Sequence, residues 1–377
     1  MMPFSSLGLS PALLQALARQ QYTQPYPIQQ QAIPAIINNH DVLGIAPTGS
    51  GKTASYVLPI IMQLQHAIHT KNRHVQVLVL VPTRELAIQV KEVFQLFCLA
   101  MPQPIKPMAV YGGVSINPQM INLQGVDILI ATPGRLLELV ANKAVHLSDV
   151  KTLVLDEADK MLNLGFKQEM NQIVDLLPKV RQNLLYSATL SPDLETINKG
   201  LLHRPLVINI TTEPDNIDLI SQSAYRVTTD KKGPLLRFLI KEQQLNQVLV
   251  FTSSVYQADN VADKLRKNGI TAESMHSKKS QGARTETLQQ FKSKKIQVLV
   301  ATDLIARGID IPNLPCVLNY ELPRSPIDYV HRIGRTGRAE TPGNAISLVS
   351  PEEEHHFGVI QKKMGKHITL MDSESLL

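Results

Sequence analysis

Three short segments carry residue types suited to phosphate chemistry. Ala46-Pro47-Thr48-Gly49-Ser50-Gly51-Lys52-Thr53 follows an apolar run and precedes a helical stretch, the setting of a phosphate-binding loop. Gly49 and Gly51 free the loop backbone, Thr48 and Ser50 included, to curl its N–H groups around phosphate oxygens, and the next helix turns its positive end towards them. Lys52 supplies a point charge for the β- and γ-phosphates, and the Thr53 hydroxyl can ligate Mg²⁺. The generic pattern has Gly where Ala46 stands, and the bland alternative is a Gly-rich turn with a surface lysine.

The second segment, Asp156-Glu157-Ala158-Asp159, ends the apolar run Thr152-Leu153-Val154-Leu155. A run without polar alternation implies a strand buried on both faces of a parallel sheet, and ligands of such sheets gather at the carboxyl ends of their strands. Asp156 is thus placed to hold Mg²⁺, and Glu157 to orient and deprotonate an attacking water. Acidic residues also favour the first turn of a helix for electrostatic reasons alone. The third segment, Tyr329-Val330-His331-Arg332-Ile333-Gly334-Arg335-Thr336-Gly337-Arg338, interleaves three arginines with two glycines. Arg335 and Arg338 project to one side of a helical turn and could both reach a γ-phosphate during transfer; a solvated basic turn or an RNA-phosphate patch is the alternative. Asp310 could accept hydrogen bonds from ribose hydroxyls.

Short apolar runs alternate with helical stretches along the whole chain, as parallel α/β architecture requires. Candidate strands fall at 42–46, 77–81, 127–131, 152–155 and 184–187, then at 248–252, 271–275, 297–301, 317–320 and 345–349. The polar stretch Thr211-Thr212-Glu213-Pro214-Asp215-Asn216 reads as a linker between two similar halves, and 377 residues suit two domains. Only the first half carries a phosphate loop, so a nucleotide sandwiched between the halves is expected.

Composition narrows the partners. The content is 44% hydrophobic and 19% charged, ordinary for a globular protein with sizeable cores, and no apolar run is long enough to span a bilayer. Cys98 and Cys316 share no metal-ligand spacing, and with no secretory signal apparent the expected location is cytoplasmic. The net charge of +6 divides as +3 on either side of Thr212, which is compatible with a polyanion but does not demonstrate one. With no Trp and 5% aromatics, nucleic acid would be gripped by its backbone rather than by a stacking platform.

Laid out in order, these segments make the chain resemble a DEAD-box RNA helicase over nearly its whole length. Residues 156–159 spell the motif. Phe4 and Tyr22-Thr23-Gln24-Pro25-Tyr26-Pro27-Ile28-Gln29 resemble the family's isolated aromatic and adenine-reading Q motif. Pro82-Thr83-Arg84-Glu85-Leu86-Ala87, Gly112-Gly113, Thr132-Pro133-Gly134-Arg135, Ser187-Ala188-Thr189, Gln281 with Arg284, and residues 301–310 and 331–338 follow in sequence. Leu7-Gly8-Leu9-Ser10 and the run 279–284 look most like the bacterial RhlE-type branch.

The resemblance implies two tandem RecA-like domains, 1–210 and 220–377, joined by a linker at 211–219, each a mostly parallel sheet flanked by helices. It implies an RNA-dependent ATPase that uses ATP and Mg²⁺, closes its domains on RNA and unwinds short duplexes locally. Phe4, Tyr22 and Gln29 would contact the adenine side, and Arg84, Gly113, Thr132, Arg135, Gln281, Arg284 and Thr302 would contact RNA. Thr132 also suits an N-cap before the helix-opening Pro133. Ser187 and Thr189, with His331, would couple hydrolysis to unwinding. Pro47, Tyr26 and Ser277 stand where Gln, Thr and Gly are commoner, and Leu304-Ile305 replace smaller residues. A monomer without membrane contact is expected; an ATP-switched RNA clamp and a DNA-directed motor are the rival readings.

Overall fold

The computed structural model describes residues 2–47, 49–65, 72–190, 192–210, 220–303, 314–337 and 343–376. The chain forms two compact units, Met1–Thr212 and Glu213–Leu377. The expected linker at 211–219 lies outside the described residues, as do Thr48, Leu304-Ile305, Asp310 and Arg338.

In the first unit, β1 (Val42–Ile45), β2 (Val77–Leu80), β3 (Pro107–Val110), β4 (Ile128–Ala131), β5 (Thr152–Leu155), β6 (Gln182–Ser187) and β7 (Leu206–Asn209) form one sheet in the order β3-β4-β2-β5-β6-β1-β7. Every pairing is parallel. Side chains alternate between faces along a strand, and both faces are covered by helices. Val77 and Val79 therefore enter one core while Leu78 and Leu80 enter the other. That two-sided burial is why these runs lack polar alternation in the sequence.

The second unit repeats the plan with β8 (Ile220–Arg226), β9 (Val248–Thr252), β10 (Ala272–Met275), β11 (Val298–Thr302), β12 (Cys316–Asn319), β13 (Gly343–Val349) and β14 (Leu370–Asp372), ordered β10-β11-β9-β12-β13-β8-β14. Its pairings are parallel too. Val248 and Val250 point into one core, Leu249 and Phe251 into the other.

The α/β expectation is met, with four strands beyond those read from the sequence: β3, β7, β8 and β14. Three of them border a sheet, and β7 and β14 are largely exposed, so they lack the continuous apolar signature of the central strands. Among the described residues no helix is long and apolar enough to cross a membrane. Cys98 and Cys316 are buried and unbridged, and burial pushes both thiols up to about 12, which leaves them unreactive.

The order β5-β6-β1 sets three loops side by side at the carboxyl edge of the first sheet: the acidic segment after β5, Ser187 to Thr189 at the end of β6, and the phosphate loop after β1. Neighbouring strands are about 4.8 Å apart, so the loop and the acidic segment are held roughly two strand spacings from each other. The β6–β1 spacing depends on close packing, because Gly44 pairs with Tyr186 and a Cβ at Gly44 would stand 2.7 Å from that ring. Gly44→Ala should therefore destabilise the first unit by about 1–3 kcal/mol through overpacking, read as a lower urea midpoint; an unchanged midpoint would show that the ring moves freely.

Candidate functional site

The phosphate loop turns through two left-handed glycines, Gly49 at φ 83° and Gly51 at φ 86°, before the helix Lys52–Leu64 begins. L-residues with a Cβ rarely adopt this conformation. At Gly51 a Cβ would also collide with the Gln29 amide and come within 2.8 Å of Tyr26 Cδ2. Lys52 is buried, and its ammonium donates to the carbonyls of Ala46 (2.5 Å) and Pro47 (3.0 Å). Burial lowers its pKa, opposed by the charges of Asp156 and Glu157.

Gln29 is the third residue of the helix Pro27–Ile37. Its Oε1 accepts from the Tyr26 N–H (2.9 Å), and its Nε2 donates to the Gly51 carbonyl (3.1 Å). The amide thereby ties the start of one helix to the start of the next. Phe4 is buried against Tyr22 (centroids 6.5 Å apart), and Tyr22 packs in turn on Phe97 at 5.8 Å.

Asp156 and Glu157 lie at the end of β5, as expected for a central strand. Asp156 Oδ2 accepts from the Tyr56 hydroxyl at 2.8 Å and Oδ1 from the Glu157 N–H at 2.9 Å, while Thr53 hydrogen-bonds the same Tyr56 phenol. Desolvation first, then the charge of Glu157, pushes the Asp156 carboxyl up to about 6. Glu157 holds φ 53° and ψ 47°, a left-handed conformation that costs a non-glycine residue about 1–2 kcal/mol and marks a site under constraint. Its Oε1 accepts from Lys160 Nζ at 2.6 Å, whereas its buried Oε2 has no hydrogen-bond partner.

The Ser187–Thr189 turn completes this edge. Ser187 donates to the Thr189 carbonyl (2.7 Å), and Thr189 Oγ1 donates to Asp159 Oδ2 (3.0 Å). One hydrogen bond thus joins the acidic segment to the turn after β6.

Further along the same edge three of the expected RNA residues of this unit, Arg84, Gly113 and Arg135, meet around 113–114. Arg84 opens the helix Arg84–Cys98 and its guanidinium lies over Gly113, where any Cβ would collide with it. Arg135 donates to the Val114 carbonyl at 2.8 Å and pairs with Glu138 at 2.8 Å; its Nη1 is buried without a partner. Thr132 occupies the N-cap position before Pro133, as expected, but its side chain makes no capping bond. Pro133 has no N–H, so one donor fewer needs a cap there.

In the second unit, Gln281 and Arg284 fall in the first turn of the helix Gln281–Lys292 and are buried, and Thr302 ends β11 half-buried. Arg335 is 6% exposed, so it is no free surface cation, and His331 sits half-buried in the last turn of the helix Pro326–Ile333. The sequence reading passes over Arg332. This buried side chain grips Asp303 through both oxygens (2.6 and 2.7 Å), reaches Asn319 Oδ1 and the Glu321 carbonyl, and stacks 4.8 Å from the Phe251 ring centroid. His276, also passed over, bonds Asp259 at 2.9 Å just before the Gln281 helix. Tyr56 is missed as well, although its place four residues after Lys52 sets it on the same helical face.

Comparison with known proteins assigns this geometry to a family. Residues 26–197 match the DEAD/DEAH box helicase family, and residues 230–340 match the helicase conserved C-terminal domain. The chain belongs to the DEAD-box helicases. It is 39% identical to the ATP-dependent RNA helicase CshA of Limosilactobacillus reuteri, over 96% of this chain and 72% of that protein. It is 37% identical to the CshA of Geobacillus kaustophilus over 100% and 79%. Among solved structures, Saccharomyces cerevisiae Dbp5 bound to RNA and ADP BeF3 superposes with a TM-score of 0.87 at 28% identity, over 100% of this chain and 97% of that one. A DEAD box protein of Methanococcus jannaschii gives 0.55 at 34% identity, covering 99% of each. The two parallel seven-stranded sheets are accordingly tandem RecA-like domains of this family. The expected RhlE-type branch is not supported, because the curated relatives compared above carry the name CshA; the short segments behind that expectation are too few to separate branches.

Two consequences of this DEAD-box site can be measured. Asp156 has a folded pKa above its ordinary 3.8, so the folded state binds the extra proton. Its contribution to stability is complete below about pH 4 and is lost as pH rises through about 6. Asp156→Asn should flatten that slope and melt later than the parent at pH 7, by at most about 1–3 kcal/mol; earlier melting would show the carboxylate to be net stabilising. Arg332→Ala should cost the second unit about 3–5 kcal/mol, since it leaves Asp303 without its buried partner, and a urea transition shifted by less than a third of that would demote this anchor.

Proposed function

We propose that this chain is an ATP-dependent RNA helicase that hydrolyses ATP to ADP and phosphate while locally opening short RNA duplexes or remodelling RNA–protein complexes. The observation that carries this reading is the convergence, at one sheet edge, of a glycine-turned phosphate loop, Asp156, and a strained Glu157 whose buried Oε2 has no partner. The names of the CshA relatives and of the RNA-bound Dbp5 structure support RNA as the second ligand.

In this reading the loop N–H groups of Gly49 to Thr53 bind the phosphates, and Lys52 exchanges its carbonyl partners for β- and γ-oxygens. Thr53 and Asp156 would hold Mg²⁺. The donor set fits, since both flank the Tyr56 hydroxyl, and this ion needs only one or two protein oxygens besides water and phosphate. When bound it neutralises charge on the phosphates. Glu157 Oε2 accepts a proton from the water whose oxygen bonds to the γ-phosphorus as the bond to the β-phosphate oxygen breaks. Lys160 holds the other carboxylate oxygen and so orients the base. Thr189, bonded to Asp159, gives the coupling role of Ser187 and Thr189 a physical route. Arg84, Gly113, Thr132 and Arg135 in the first unit, and Gln281, Arg284 and Thr302 in the second, would meet the RNA backbone.

Glu157→Gln keeps the shape and loses the base. Phosphate release stimulated by RNA should fall about 100-fold or more, while equilibrium binding of ATP and RNA persists. Persistent RNA-stimulated turnover in Glu157→Gln would remove the base assignment. Stronger stimulation of the parent by DNA than by RNA of the same sequence would replace the RNA reading with a DNA motor.

A further inference from the structure

The segment 111–115 joins β3 to the short helix Ile116–Asn122 and carries the Gly112-Gly113 pair. Gly113 is left-handed at φ 74°, and the Arg84 guanidinium lies where its Cβ would stand. One residue on, the Val114 carbonyl accepts from Arg135 Nη2 at 2.8 Å. Two arginines thus meet one loop. Two adjacent glycines leave such a loop many conformations, and only one of them suits both guanidiniums.

The side chain of Gln119 restricts that choice. It is buried, and both ends of its amide are spent on the loop. Oε1 accepts from the Tyr111 N–H at 3.0 Å, while Nε2 donates to the carbonyls of Tyr111 (3.2 Å) and Ser115 (3.3 Å). The first and last residues of the segment are therefore tied to one group. β3 borders its sheet and ends at Val110, so the Tyr111 backbone finds its partner in this amide rather than in a neighbouring strand. Gln119 has no charge to offer a phosphate, and its polar atoms are already engaged. Any effect it has on RNA must pass through the loop.

We propose that Gln119 is a positioning residue for RNA binding, fixing the 111–115 loop so that Arg84 and Arg135 meet the RNA backbone at a set spacing. The inference rests on the reading of Arg84, Gly113 and Arg135 as RNA contacts. Arg135 Nη1, buried without a partner, is the donor that this spacing aims at a phosphate oxygen. A grip shaped before the RNA arrives gives up less freedom when it binds.

The test is RNA-stimulated phosphate release by the full chain, titrated with single-stranded oligouridylate, beside binding of the ATP analogue AMP-PNP without RNA. Gln119→Met fills the same space and makes none of the three hydrogen bonds. It should raise KM for RNA about 3- to 30-fold, the effect of losing two or three neutral hydrogen bonds. Its kcat at saturating RNA should stay within about twofold of the parent, and AMP-PNP should bind as before. Gln119→Glu keeps the acceptor and loses both donors, so its KM should rise as far; Gln119→Met alone decides if that variant does not fold. Arg84→Ala and Arg135→Ala are the controls for the site and should raise the same KM. If they do while Gln119→Met keeps the parent KM, the positioning role is overturned and the RNA site stands. A fall in kcat or in AMP-PNP affinity that parallels the rise in KM also overturns it, making Gln119 a general support of the first unit. If neither arginine variant raises KM for RNA, the RNA assignment falls, and this inference with it.

Discussion

Five charged side chains, Lys52, Asp156, Glu157, Asp159 and Lys160, are buried together at the edge of one sheet, and burial forces each to find a partner or a compensating charge. A lone charge out of water is far too costly to keep. Two cations among three carboxylates are tolerable, with Lys160 bonded to Glu157 and Lys52 held by the Ala46 and Pro47 carbonyls. Tyr56 completes the set by donating to Asp156. The compensation is incomplete: Lys52 is lowered by desolvation, Asp156 is raised by it, and one oxygen of Glu157 has no partner. Those residual imbalances are what the proposed polyphosphate, cation and water would meet.

The sheet makes this cluster possible. Parallel strands end at one edge, and the order β5-β6-β1 brings segments more than a hundred residues apart in sequence to neighbouring positions. Two-sided burial holds the strand ends rigid, so the loops inherit fixed starting points. The second unit uses the same plan for a different purpose. There, Arg332 ties the end of β11 to the end of β12 through Asp303 and Asn319.

Much of this was legible in the chain because the chemistry is contiguous. Residues 46–53 and 156–159 each carry their own context, an apolar strand before and a helix after. The central strands were equally plain, being apolar throughout, whereas β7 and β14 were hidden by their exposure at sheet borders. Partnerships across the fold were not legible. Nothing near Tyr56 in sequence announces Asp156, and nothing near Thr189 announces Asp159. Arg332 was visible as one arginine of three, yet only packing on Phe251 and the grip on Asp303 separate it from Arg335. Likewise Arg84, Arg135, Gln281 and Arg284, which single-residue reading would leave on the surface, are largely engaged in or beneath it.

If the Gln29 amide reads the base, as the family resemblance implies, its present bonds bear on how nucleotides would be told apart. Both ends of that amide already hold protein partners, the Tyr26 N–H and the Gly51 carbonyl. Reading a base edge would therefore be an exchange reaction rather than a simple gain of contacts. A matching purine would replace what it displaces and leave the balance nearly level; a mismatched one would strand buried donors and acceptors at about 1–3 kcal/mol each. Discrimination of this kind is sharp even where net affinity is modest. Because one of those partners is the backbone of the phosphate loop, the identity of the base would be felt mechanically where the phosphates are held.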